Sequence, residues 1–110
     1  MPKVSILMPV YNAEQYLSQA LDSIVSQSFE DWELILINDG STDRSESIIM
    51  DYDDERIFYI KNPVNLKLIK TLNKGIDYCG GQYIARMDAD DICHPDRLKR
   101  QVEFLDSHPQ

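Results

Sequence analysis

Glycine is scarce, at four residues in 110, and none of the four builds a phosphate-cradling loop. The turn after the first apolar run reads PVYNAEQ, with neither Gly-x-Gly-x-x-Gly nor a Walker sequence, which weakens dinucleotide and ATPase readings. Cysteine is scarcer still. Cys79 and Cys93 have no Cys-x-x-Cys spacing and no second pair with which to form a zinc pattern. They read as two free thiols of a reducing compartment, with a disulfide as the alternative. No Gly-x-Ser-x-Gly elbow is present to activate a serine. No apolar run approaches the roughly 18 residues of a membrane span, and no basic, apolar and small-residue succession reads as a signal peptide. Basic charge is also short, with 11 Lys and Arg against 19 Asp and Glu and a net charge of -8. That balance disfavours a broad nucleic-acid footprint, although a metal ion can supply positive charge locally to a single bound nucleotide.

What is present is an ordinary globular composition, 43% apolar, on a chain long enough for one small domain with a core. Short apolar runs at Val4 to Met8, Leu34 to Ile37, Ile57 to Ile60 and Tyr83 to Met87 read as strands. Helical patterns separate them. Asn12 with Gln15 suggests a capping box ahead of a helix carrying Leu17, Leu21, Ile24 and Val25. A second helix is expected from Ser41 or Thr42, and a third from Leu66 to Cys79 with Leu66, Ile69, Leu72 and Ile76 facing the sheet. Pro95 suits the first position of a fourth helix whose inward stripe is Leu98, Val102 and Leu105. This alternation predicts an α/β fold, a mostly parallel sheet with helices on both faces.

Ligands of such sheets collect beyond the carboxyl ends of the strands. Three loops lie there: Pro9-Val10-Tyr11-Asn12, Asn38-Asp39-Gly40-Ser41-Thr42 and Asp88-Ala89-Asp90-Asp91. Three carboxylates within four residues repel unless solvated, protonated or neutralised, and oxygen ligands suit Mg²⁺ or Mn²⁺. A solvated acidic turn is the other reading of that loop. Asp39 has the chemistry to accept a hydrogen bond from a base or ribose, or to form an Asp-Gly turn into a helix. Tyr11 can lie against a base, and Asn12 can contact ligand or cap its helix. Lys74 and Arg86 can offset phosphate or aspartate charge, or form ordinary surface pairs. His94 reads chiefly as a residue at a helix start.

Taken in order, SILMPVYNAEQYL (Ser5 to Leu17), WELILINDGSTDRS (Trp32 to Ser45), Asn73-Lys74-Gly75, GQYIARMDADD (Gly81 to Asp91) and the helix Pro95 to Leu105 resemble the inverting glycosyltransferases of family 2, with the GT-A (Rossmann-like) fold. The resemblance covers nearly all of this chain but only the front, donor-binding half of the family domain, so that residues 1–110 correspond to a truncated domain. It implies that Pro9, Tyr11 and Asn12 line a nucleotide pocket and that Asp39 recognises the base, commonly uracil. Asp88 and Asp90 match the DXD motif, Asp88 at the ribose or metal-associated diphosphate and Asp90 as the metal ligand. The implied cofactors are Mn²⁺ or Mg²⁺ and a nucleotide-sugar donor, most simply a UDP-sugar. The implied acceptor is a glycan or lipid-linked hydroxyl. A setting in polysaccharide and cell-envelope biosynthesis follows, in the cytoplasm or at the inner face of the plasma membrane. The base for an inverting displacement is expected beyond Gln110, so the 110 residues are expected to transfer little sugar alone.

Two positions depart from the family pattern. Leu72 stands where an arginine often precedes the asparagine, and Lys67 stands where glycine is frequent. Lys74 is a candidate to compensate by contacting the donor. The rival readings are a sugar nucleotidyltransferase, which usually has a glycine- and basic-rich loop where this chain has PVYNAEQ, and a non-catalytic nucleotide-binding module.

Overall fold

The computed structural model describes residues 2–108, so Pro109, Gln110 and anything expected after them lie outside the described residues. The elements alternate in chain order: β1 (Val4–Val10), α1 (Leu17–Val25), β2 (Trp32–Asp39), α2 (Ser45–Met50), β3 (Ile57–Asn62), α3 (Leu68–Ile76), β4 (Tyr83–Arg86) and α4 (Arg97–Ser107). The strands form one sheet of order β3-β2-β1-β4, and all three pairings are parallel. The chain therefore runs outward from β1 to β3 and then crosses to the opposite side of β1 for β4. That reversal is a topological switch point, where the loops after β1 and β4 part and leave a crevice. Proline reinforces the parting. The β1·β4 pairing stops at Leu7 and Arg86, and Pro9 has no amide hydrogen with which to continue it.

Both central strands are buried on both faces, which explains why they read as continuous apolar runs. Side-chain alternation divides them between two cores. Val4, Ile6, Met8, Val10, Leu34 and Leu36 pack with Leu17, Leu21 and Ile24 of α1, Ile49 of α2, and Leu98 and Val102 of α4. Leu7, Ile35 and Ile37 point the other way, where Leu72 of α3 and Cys79 pack. Each fully buried Leu or Ile contributes about 1.5–3 kcal/mol, so the face carrying three helices holds most of the burial. The two thiols are free because Cys93 lies in the first core and Cys79 against the second, on opposite sides of the sheet.

Three local expectations need correction. The second helix begins at Ser45 instead of Ser41 or Thr42, because the intervening residues are held by cross-loop hydrogen bonds. Leu105 is 38% exposed and does not complete an inward stripe on α4. On α3, Ile69 is 75% exposed and Ile76 49%, while the buried positions are Thr71 and Gly75. The helix sits so close to the sheet that a Cβ at Gly75 would collide with the side chains of Leu7 and Ile37. Small residues therefore occupy the contact with Leu72 beside them, and the periodicity of large apolar residues is right for Leu72 but not for Ile69 and Ile76.

The two faces of α3 should respond oppositely to substitution. Ile69→Ser is expected to change the free energy of urea unfolding by no more than about 0.5 kcal/mol. Gly75→Leu, which overfills the helix and sheet contact, should lose about 1–3 kcal/mol.

Candidate functional site

At the switch point lies a cleft of about 640 Å³. The end of β1 and the loop after it contribute Pro9 through Ala13 together with Tyr16, β2 contributes Asp39, the segment entering α3 contributes Asn65, Lys67 and Leu68, and β4 with its loop contributes Arg86, Asp88, Ala89 and Asp90. Tyr11 and Tyr16 are about half exposed along it. A second groove, of about 510 Å³ between the free edge of β4 and α4, is lined mainly by apolar and arginine side chains and contains no carboxylate.

Asn12 organises the first two loops. It adopts φ 48°, a left-handed conformation that asparagine tolerates better than most residues. Its Oδ1 accepts hydrogen bonds from the amides of Thr42 (2.8 Å) and Asp43 (3.3 Å), and its own amide donates to Ser41 Oγ (3.0 Å). The neighbouring amides of Ala13 and Glu14 donate to Ser45 Oγ and Asp43 Oδ2. The expected capping box is thus replaced by a clasp between the loops after β1 and β2, and α1 starts five residues later, at Leu17. Burial raises the Asp43 carboxyl, but the hydroxyl and amide of Ser45 and the amide of Glu14 outweigh it and hold the group below its ordinary value.

Asp39 is buried, with 4% of its surface exposed. Its Oδ1 accepts from the Leu66 amide (2.7 Å) and from Asn62 Nδ2 (3.0 Å). Asn62 is itself fully buried, donates also to Thr71 Oγ1 (3.2 Å), and accepts from Lys74 Nζ at 2.6 Å. Burial pushes the Asp39 carboxyl up, yet the donors from Leu66, Asn62, Thr71 and the Lys67 amide together hold it below the ordinary carboxylate range. Next to it, Gly40 has φ 71°, and a Cβ there would stand 2.6 Å from the Asn65 amide nitrogen. Only glycine lets the end of β2 and the segment before α3 approach this closely.

The acidic loop is a tight turn: the Asp91 amide donates to the Asp88 carbonyl (3.0 Å), and the Asp88 amide to Asp91 Oδ2 (3.1 Å). Asp88, Asp90 and Asp91 are exposed and present one oxygen each within 4.8 Å of one another. Asp88 also pairs with Arg86 at 3.1 Å, both side chains being about half exposed, which limits that pair to at most about 1 kcal/mol. Three hard oxygen donors in this spacing suit a divalent cation such as Mg²⁺ or Mn²⁺.

Lys67 has φ 72° and ψ 160°, a region almost confined to glycine, at a cost of roughly 1–3 kcal/mol for a residue with a side chain. The frequent glycine of the family pattern at this position has its physical explanation in that geometry.

The cleft therefore brings together Pro9, Tyr11, Asn12, Asp39, Asp88 and Asp90. Lys74 stands one step behind, bonded to Asn62, and Asp91 closes the turn beneath its neighbours. His94 lies outside the cleft, its Nδ1 accepting from the Asp96 amide. Sequence reasoning missed Asn62, which had the look of a turn residue before Pro63, and Tyr16, Asn65 and Leu68 on the cleft wall. A polar residue at the carboxyl end of a strand beside Asp39 was the only signal for Asn62.

Residues 5–110 match the family described as Glycosyl transferase family 2. The chain belongs to that family. It is 44% identical over 110 residues to EpsE of Bacillus subtilis (strain 168), provisionally named a glycosyltransferase, covering 97% of this chain and 40% of that protein. An uncharacterized glycosyltransferase of Haemophilus influenzae is 43% identical over 109 residues, with 97% of this chain and 34% of that one covered. In structure the chain resembles S. aureus TarS residues 1–349 solved with UDP, at a TM-score of 0.90 and 27% identity, over 96% of this chain and 32% of that 1–349 chain. It thus spans roughly a third to two fifths of these three chains, and its parallel sheet flanked by helices on both faces is that of the GT-A fold. Of the family-like segments, those at Pro9 to Ala13, at Asp39 and at Arg86 and Asp88 to Asp90 contribute walls of one cleft, and Asn73-Lys74-Gly75 does not.

Asn62→Leu removes a donor to Asp39 and strands Lys74, and should cost about 1–3 kcal/mol at neutral pH in urea unfolding. Because the folded Asp39 carboxyl lies below its unfolded value, its contribution is complete above the ordinary carboxylate pKa and is lost as pH falls through the folded value. The gap between the wild type and Asn62→Leu should therefore narrow in acid; a gap independent of pH would mean that Asn62 does not support a charged Asp39.

Proposed function

We propose that this chain is the donor-binding part of a glycosyltransferase that transfers a sugar, with inversion, from a nucleotide diphosphate to an acceptor hydroxyl. The observation that carries this reading is the single cleft with a buried, ionised Asp39 and an exposed acidic turn on the same walls. In this reading Pro9, Tyr11 and Asn12 line the nucleotide pocket. Asp39 accepts from an N–H of the base, for which uracil is suited. A carboxylate held charged by the Leu66 amide and Asn62 Nδ2 is preorganised for that task and rejects a base that presents an acceptor instead.

Asp90 and Asp88 would hold Mn²⁺ or Mg²⁺. Asp90 has its side chain free of hydrogen bonds among the described residues, and Asp88 shares its charge with Arg86. Bound there, the cation would neutralise charge developing on the departing nucleoside diphosphate. Lys74 would act through Asn62 on Asp39, which refines its expected role as a direct donor contact. Support for a UDP-sugar comes from TarS, which has been solved with UDP and with UDP-GlcNAc. The acceptor site and the catalytic base belong to the part of the domain that follows the matched portion of the family. Among the described residues no helix is long and apolar enough to cross a membrane. In this reading the acceptor is a lipid-linked or glycan hydroxyl, met at the cytoplasmic face of the membrane.

Calorimetric titration with UDP, GDP and dTDP, with and without Mn²⁺, tests the proposal. UDP is expected to bind best and to gain affinity from the metal, and Asp90→Asn should remove at least about tenfold of that gain. Metal dependence unchanged in Asp90→Asn would defeat the metal assignment. Efficient sugar transfer by the 110 residues alone would defeat the division of labour between donor and acceptor halves.

A further inference from the structure

The cleft contains one cation that the site described so far leaves idle. Arg86 is engaged with Asp88 at 3.1 Å, whereas Lys67 lines the same cleft and forms no ion pair among the described residues. It is also one of two non-glycine residues at positive φ among the described residues, at φ 72° and ψ 160°. That conformation is imposed from both sides. The preceding Leu66 amide is bound to Asp39, the Lys67 amide donates to Asn65 Oδ1 at 2.8 Å, and the Lys67 carbonyl accepts from the Thr71 amide at 3.1 Å. Glycine at 67 would satisfy every one of these backbone bonds without conflict from a Cβ. The side chain is therefore carried at a cost to the fold, and strain of that kind points to a use for the group that causes it.

The surrounding charge indicates the use. Asp39, Asp88 and Asp90 all face the cleft, in a chain of net charge -8, and each repels an incoming diphosphate. A divalent cation at Asp88 and Asp90 answers only that end. Resting on the nucleotide-sugar reading, we propose that the Lys67 ammonium is a second diphosphate-binding group, which contacts phosphate oxygens of the donor from the α3 side of the cleft. Binding needs only a charge-assisted hydrogen bond and no chemical step. Lys67 then discriminates nucleoside diphosphates from nucleosides, and Asp39 reads the base independently.

Titration of the protein with uridine and with UDP, each in the presence of MnCl₂, combined with thermal unfolding, tests this. Lys67→Met, which keeps a long side chain on the strained backbone but removes the charge, should weaken UDP about tenfold, leave uridine within about twofold and leave the Tm near that of the wild type. Lys67→Gly should show the same loss for UDP while raising the Tm by several degrees. Lys67→Arg should retain UDP affinity. UDP affinity in Lys67→Met equal to the wild type, or a parallel loss of uridine and UDP, would overturn the proposal. So would a Lys67→Gly protein no more stable than the wild type, since the backbone would then carry no cost that requires a use. A wild-type protein that binds neither ligand would instead remove the nucleotide-sugar reading on which the proposal rests.

Discussion

A carboxylate taken out of water must be given donors or give up its charge, and the arrangement of this cleft follows from how Asp39 meets that condition. Its partners come from β3, through Asn62, and from the segment entering α3, through the Leu66 amide. Satisfying Asp39 therefore fixes the distance between the ends of β2 and β3 and the start of α3. Gly40 follows Asp39 because a Cβ would strike the Asn65 backbone, and Lys67, just after the Leu66 amide that Asp39 binds, is held at positive φ between its bonds to Asn65 and Thr71. Thr71, in the first turn of α3, completes the set through Asn62. The base-reading carboxylate of the proposed site is thus also a tie that orients one wall of the pocket.

The fold was legible because the physics that makes strands β1 and β2 apolar throughout is burial on both faces, which leaves a signature in consecutive residues such as Leu34 through Ile37. The cleft was legible for a related reason: loops after parallel strands share one edge, so the strand pattern alone groups Asn12, Asp39 and Asp90. Interactions between loops were not legible. Asn12 next to a helix has the same local sequence whether it caps that helix or clasps Thr42, thirty residues away, and only the separation of β1 and β2 in space decides. Ile69 and Ile76 of α3 were misread because the close contact with the sheet is made by Thr71 and Gly75, whose smallness permits close approach. Apolar periodicity counts large residues and is blind to such a contact. Lys67 carried a signal only as a departure from a pattern of glycine, and its meaning is the backbone angle.

The two carboxylate groups of the cleft are built on opposite principles. Asp39 is buried and held in place by fixed donors, so its geometry exists before any ligand arrives. Asp88, Asp90 and Asp91 are exposed on a short turn, and their mutual repulsion is relieved by water and, at Asp88, by Arg86. A rigid group suits discrimination among bases, because an ill-matched base would leave buried polar atoms unpaired. A solvated group suits the cation of the proposed site, which would arrive with the charged donor and leave with the nucleoside diphosphate. Were the acidic turn buried like Asp39, its three charges would demand a permanently bound ion, and release of the nucleoside diphosphate would have to overcome it.

Net charge enters at the same point. A chain of -8 repels a diphosphate at long range, but screening confines that repulsion to about 8–10 Å at physiological ionic strength. Within the cleft only the local groups count: Lys67 and Arg86 on the positive side, Asp39, Asp88 and Asp90 on the negative. Without a cation the balance is unfavourable to phosphate, and with a divalent ion it becomes favourable. In the proposed site, metal and nucleotide would therefore depend on one another for occupancy, and by linkage each would strengthen the other to the same degree. An acidic chain with few basic residues can in this way hold an anion selectively, because the charge needed is admitted together with the ligand instead of being built into the fold.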